Sequence, residues 1–165
     1  MADGDDREAR VFTVETRFQK LARQPGGVSR EKALENAAAK IEEIVPSFDD
    51  WVGQELEALS SLIKKAQAGD APSDWIEGSN SHSRQIRDAG TTMGSELLTF
   101  IASSLCDVLD AIEAGAECNI ESITCHIDAL FLARQRQFRG MKPDQVPELT
   151  KGLRRVVEVV STTPN

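Results

Sequence analysis

Two stretches of this 165-residue chain hold side chains capable of chemistry. The first, from Ser81 to Asp107, reads SHSRQIRDAGTTMGSELLTFIASSLCD. It carries His82, Arg84 and Arg87, then Gly90-Thr91-Thr92-Met93-Gly94, and then a strongly apolar run. The second brings Cys118, Cys125 and His126 close in sequence. Imidazole is the side chain that exchanges protons near neutral pH, and guanidinium pairs with carboxylates and phosphates in a fixed fork. A helix that stops, turns through two glycines and restarts presents backbone and side chains together. The break at Gly90 to Gly94 is therefore where a site is first sought.

Each candidate has a plainer reading. Structural zinc sites bring tight pairs such as Cys-x-x-Cys to one tetrahedral ion. No such pair occurs here, so no metal and no other cofactor is expected, and the cysteines read as buried, inert thiols. A nucleophilic Cys or Ser needs a base in hydrogen-bond reach, and the spacing specifies none. His126, on an otherwise apolar segment, reads as a satisfied core or boundary histidine with a structural role. Phosphate-cradling glycine loops follow a strand and lead into Gly-Lys-Ser/Thr. Gly90 and Gly94 instead lie between two helical patterns, where they read as structural turn residues.

The elements that must position these groups are helical. Ala, Leu, Glu, Lys, Arg and Gln dominate, there is no Tyr, and aromatics are 5% of the chain, a balance that favours helix over sheet. Val11, Val14, Phe18 and Leu21 form an N-terminal arm that ends at Gln24-Pro25-Gly26-Gly27. Ser29 caps a helix turning Leu34, Ala37, Ala38, Ile41, Ile44 and Val45 inward, which Pro46 is predicted to stop. Ser47 opens the next, with Trp51, Val52, Leu56, Leu59, Leu62, Ile63 and Ala66 on its apolar face. A third runs from about Trp75 to Ala89 with a small, polar inward stripe: Ile76, Ser79, Ser83, Ile86 and Gly90.

Ser95 and Glu96 start a fourth helix through Leu97, Leu98, Ile101, Leu105, Val108, Leu109 and Ile112, closed by Gly115. Asn119 caps a fifth, predicted to continue through Phe138 to Gly140. Pro143 and Pro147 bracket the start of a last helix carrying Leu149, Leu153, Val156, Val157 and Val160.

A formal charge of −8 and a pI near 4.8 argue against a surface that tracks nucleic-acid phosphates. No apolar run approaches the roughly 20 residues needed to span a bilayer. The N-terminus, MADGDDREAR, has neither the basic nor the apolar part of a signal peptide. A cytoplasmic protein with no nucleic-acid or membrane partner is expected.

Gln85-Ile86-Arg87-Asp88-Ala89-Gly90-Thr91-Thr92-Met93-Gly94, followed by Leu97-Leu98-Thr99-Phe100-Ile101-Ala102-Ser103-Ser104-Leu105-Cys106, resembles the alphaproteobacterial branch of histidine phosphotransfer (HPt) domains. There a segment of the type His-Asp-Leu-(Lys/Arg)-Gly-Gln-x-x-Thr-Phe-Gly precedes Pro-Leu-x-x-x-Ile-Ala-x-Ser-Leu-Cys. The likeness extends downstream to Cys125-His126-Ile127-Asp128-Ala129 and, more loosely, upstream to Phe48-Asp49-Asp50-Trp51.

The successive helical patterns with short connections call for an all-α fold, an antiparallel bundle over residues 29–140, and the resemblance implies its up-down four-helix form. An N-terminal extension (1–28) precedes it, and a C-terminal helix (141–165) packs on it. It also implies a response-regulator receiver domain or a sensor kinase as partner. In ungapped register Arg87 takes the family's basic position, Arg84 stands where the phospho-accepting histidine belongs, and Asp88 replaces a glycine. Arginine has no stable phosphorylated state to pass on, so no catalytic residue is expected. The resemblance then points to a degenerate module that docks receivers through Arg84, Arg87, Asp88 and Thr91. Two alternatives stand beside it: a helical adaptor or self-associating bundle without a receiver partner, and an active phosphotransfer protein using His82.

Overall fold

The computed structural model describes residues 16–22 and 26–162. Its helices, in chain order, are α1 (Arg17–Ala22), α2 (Arg30–Ala68), α3 (Trp75–Thr92), α4 (Glu96–Glu113) and α5 (Ile120–Ala133). A 3-10 turn, Pro143–Gln145, then leads into α6 (Pro147–Thr162). No β-strand occurs among the described residues, and the fold is all-α. The chain divides into two compact units, Met1–Ile44 and Val45–Asn165. The division falls inside α2, between Ile44 and Val45, the residue before Pro46.

In the first unit, Val11 and Val14 of the predicted arm lie outside the described residues, and Leu21 is exposed on α1. The expected cap is present: the Ser29 hydroxyl accepts from the Lys32 amide at 3.2 Å, satisfying one of the orphan donors of the first turn. The expected inward stripe is not inward. Every residue from Gly26 to Ile44 is exposed, Leu34, Ile41 and Ile44 included. Periodicity marks an apolar face on a helix; it does not say that the same chain covers it.

Pro46 does not end the helix. It lies within α2, although a proline there withdraws an amide from the ladder and crowds the carbonyl four residues back. Burial beyond it offsets that cost. Val52, Leu56, Leu59 and Ile63 are all buried at helical spacing, and Phe48 and Trp51 pack on the same core. Anchored on that side, the chain stays helical through the proline.

The second unit is organised about α4, which touches α3, α5 and α6. Leu97, Leu98, Ile101, Ala102, Leu105, Val108 and Leu109 are buried along it. The α2 segment supplies its four buried residues, α5 adds Ile123, Ile127, Ala129, Leu130 and Ala133, and α6 closes over with Leu153 and Val160. Asn119 caps α5 as expected, its side chain accepting from the amides of Glu121 and Ser122.

Helix α5 stops at Ala133, short of the predicted Gly140. Beyond it the Arg134 guanidinium donates to the Asp49 carbonyl at 2.9 Å, and Arg139 pairs with the Asp49 carboxylate. Gly53 makes room for this: a Cβ there would lie 2.7 Å from the Arg134 Nη2. Phe138 still packs on the core, but from a turn.

Candidate functional site

The α3–α4 pair positions the residues singled out above. Ser79, Asn80, Ser83, Ile86 and Gly90 are buried on α3, which is the predicted small, polar stripe with Asn80 added and Ile76 half-buried. Gly90 does not break the helix. It is a point of close approach: a Cβ built on it would meet the Thr99 Oγ1 at 2.8 Å and the Thr99 amide nitrogen at 3.4 Å. The reversal is confined to Met93, Gly94 and Ser95. The Met93 amide donates to the Ala89 carbonyl, the Ser95 amide to the Gly90 carbonyl, and Gly94 sits at φ +69°, the region a residue without Cβ enters at no steric cost.

His82 and Arg84, two residues apart and so on different sides of α3, face different helices. The His82 Nδ1 lies 2.6 Å from the Glu55 Oε2 of α2, with the imidazole 27% exposed. A carboxylate only accepts, so Nδ1 carries a proton and donates to it, which fixes the orientation of the ring.

Arg84 turns to α4 instead. Its Nη2 donates to the Asp110 Oδ1 at 2.8 Å, and the guanidinium is 51% exposed. Asn80, one turn earlier, donates to the same Asp110 oxygen. Asp110 thus gathers two donors from α3 and fixes the direction in which Arg84 points.

Arg87 bonds its neighbour, Nε donating to the Asp88 Oδ1 at 2.9 Å. That bond, strengthened by the Asp88 charge, holds the guanidinium pKa above its ordinary value. Asp88 itself is exposed, as is Thr91, whose hydroxyl donates to the Arg87 carbonyl. Arg84 and Asp88 line an open groove together with Asp74, Glu77, Asn80 and Glu113. Four of its ten lining residues are carboxylates, and Arg84 is the one cation among the ten.

His126 lies apart, fully buried on α5. Its Nδ1 lies 2.7 Å from the Ser122 carbonyl, to which it donates, and its Nε2 lies 2.9 Å from the Ser104 hydroxyl on α4. Both ring nitrogens are satisfied, as a structural histidine requires. Burial pulls its pKa below the usual 6.5, against the opposing pull of the Ser122 carbonyl and of Asp107.

This pairing escaped the sequence reading, because α4 to α5 contact is not encoded in spacing. A hydroxyl on an imidazole is also the first half of a nucleophilic pair. However, Ser104 is inside α4, where the backbone amides are spent on the helix ladder and offer no oxyanion donors. The Cys106 thiol is buried and pushed up to about 11 by that burial, which makes it inert. Cys118 and Cys125 are exposed, contrary to the expectation of three buried thiols. No group of His, Cys, Asp and Glu among the described residues is placed to hold a metal ion, and no described helix is long and apolar enough to cross a membrane.

Set beside known protein families, curated proteins and solved structures, the chain matches none of them.

Proposed function

We propose that this protein is an HPt-like signalling module, an up-down four-helix bundle that docks receiver domains in the cytoplasm without accepting phosphate at the family's usual position. The observation that carries the reading is Arg84: a half-exposed guanidinium, held in place by Asp110, at the position the motif register assigns to the phospho-histidine. A receiver's phosphorylation pocket is a cluster of carboxylates, and a fixed guanidinium complements it where a phosphoryl group would otherwise enter. Arg87 and Thr91, one and two turns along α3, extend that surface. Asp88 and the carboxylates of the neighbouring groove oppose an acidic partner, so binding is concentrated on Arg84 and Arg87.

One observation favours a second reading, in which the protein relays phosphate through His82. With Nδ1 donating to Glu55, the imidazole is oriented, and in the ring's neutral form Nε2 is the nitrogen that would attack a phosphoryl group. A single set of measurements separates the two. Receiver domains are titrated against the wild-type chain, Arg84→Glu and His82→Ala, and each chain is then incubated with phosphorylated receiver. Docking through Arg84 predicts binding weakened at least about tenfold by Arg84→Glu, the cost of unpairing and reversing one charge-assisted contact, with no phosphate retained. Acid-labile phosphate on the wild-type chain that His82→Ala abolishes establishes the relay instead. Binding unchanged by Arg84→Glu removes Arg84 from the interface.

A further inference from the structure

The first unit carries an apolar face that its described residues leave in water. Leu34 is 60% exposed, Ile41 55% and Ile44 53%, with Ala37 and Ala38 exposed between them. A helix of this length standing alone in water is marginal even for good helix formers, because helical stability in proteins comes mainly from packing an amphipathic face. Its start is well made: Ser29 caps it, and Lys32–Glu35 and Lys40–Glu43 ion pairs at 2.8 and 2.7 Å brace its polar side. Among the described residues it has no surface to pack on.

The spacing specifies one. Leu34, Ala38, Ile41 and Val45 alternate by four, three and four residues, the repeat of a two-stranded coiled coil, in which 3.5-residue periodicity keeps the seam facing its partner. Taking Leu34 and Ile41 at d places Glu31, Ala38 and Val45 at a, with Glu31 in the first turn of α2 at the end of the seam, Glu35 and Glu42 at e, and Arg30, Ala37 and Ile44 at g. Small residues at Ala37 and Ala38 allow the two backbones to approach closely.

The flanking charges choose the orientation. In a parallel, in-register pair each g residue faces the e residue five positions on in the other strand, which sets Arg30 against the Glu35 of the second copy on both sides. In an antiparallel pair the e positions meet each other, and Glu35 would face Glu42 twice. Arg30 and Glu35 are both exposed, and a carboxylate has acceptor sites for Arg30 of another strand as well as for its own Lys32.

We propose that residues Arg30 to Val45 form a parallel, in-register coiled coil with a second copy of this chain. The test is the mass of the full-length protein by sedimentation equilibrium over a range of concentrations, on a background in which the exposed Cys118 and Cys125 are changed to Ser. The chain is expected to reach dimer mass. Leu34→Glu/Ile41→Glu is expected to return it to monomer while leaving the thermal transition of the 45–165 core unchanged. Arg30→Glu alone is expected to weaken the dimer about tenfold, two repulsive pairs replacing two attractive ones, and Arg30→Glu/Glu35→Arg to restore it. Ala38→Cys, at an a position, is expected to crosslink on mild oxidation, as a parallel in-register pair requires.

A monomer at every concentration overturns the proposal, and so does a dimer indifferent to Leu34→Glu/Ile41→Glu. A dimer without the charge-swap rescue or the Ala38→Cys crosslink overturns the parallel register. None of these outcomes bears on receiver docking through Arg84.

Discussion

The buried histidine makes the sharpest single-residue statement. His126 is fully buried, spends one nitrogen on the Ser122 carbonyl and presents the other to Ser104. Its pKa is lowered by burial from 6.5. In the unfolded chain the imidazole takes up its proton near 6.5, whereas the folded chain resists doing so until lower pH. Below about 6.5 the unfolded state therefore binds more protons, and stability declines as pH falls toward the folded-state pKa. Wild-type melting temperature is expected to drop from pH 7 to pH 5, and His126→Gln to flatten that dependence. Equal slopes in the two proteins would remove His126 as its source. Ser104→Ala, which strands a buried ring nitrogen, is expected to cost about 1–3 kcal/mol in denaturant unfolding.

At the scale of elements, the α3–α4 pair turns on a single missing Cβ. Alanine at Gly90 would gain up to about 1 kcal/mol of helix propensity, since Gly90 is inside α3. Against that, its methyl group would press on the Thr99 hydroxyl at 2.8 Å, with the Thr99 backbone nitrogen behind at 3.4 Å. Overpacking of this kind costs about 1–3 kcal/mol, and Thr99 is stiff at χ1. Gly90→Ala is expected to lower the melting temperature, and Gly90→Ala/Thr99→Ala to recover most of the loss. A Gly90→Ala protein more stable than wild type would mean that α3 and α4 can move apart freely.

The same pair marks how far the sequence could be read. The stripe of Ser79, Ser83, Ile86 and Gly90 was legible because small residues at helical spacing have few uses except close packing. The caps at Ser29 and Asn119 and the proline that opens α6 follow from local side-chain chemistry, whereas Asp74 and Ser95, ahead of α3 and α4, make no side-chain cap bond. Pro46 was misread because the energy that carries α2 through it comes from Val52, Leu56 and Leu59, residues distant from the break. Leu34, Ile41 and Ile44 were misread for a related reason: their pattern records an apolar face but not what covers it. Of the site residues, the opposed directions of His82 and Arg84 follow from helical geometry alone. Their partners, Glu55 and Asp110, lie 27 and 26 residues away and had no local signature.

On the scale of the whole molecule, the two units differ in what holds them together. The 45–165 unit has a continuous apolar core joining α2 to α6. Between Gly26 and Ile44 no residue is buried, so the stability of that stretch must come from helix propensity, its cap and its surface ion pairs, each worth a few tenths to about 1 kcal/mol. Opening of so weakly held a segment is local and costs far less than global unfolding. Amide hydrogen exchange therefore reads the association directly. In dilute solution the amides of residues 34–44 are expected to exchange orders of magnitude faster than those of Leu105 or Leu109, buried at the centre of α4. As concentration rises through the dimer dissociation constant, binding that requires the helical form adds free energy to it by mass action. Protection of residues 34–44 is then expected to climb with concentration while that of α4 stays constant. In Leu34→Glu/Ile41→Glu the climb is expected to vanish. Protection of residues 34–44 that is already high when dilute, and insensitive to concentration, would mean that this helix is held by its own chain.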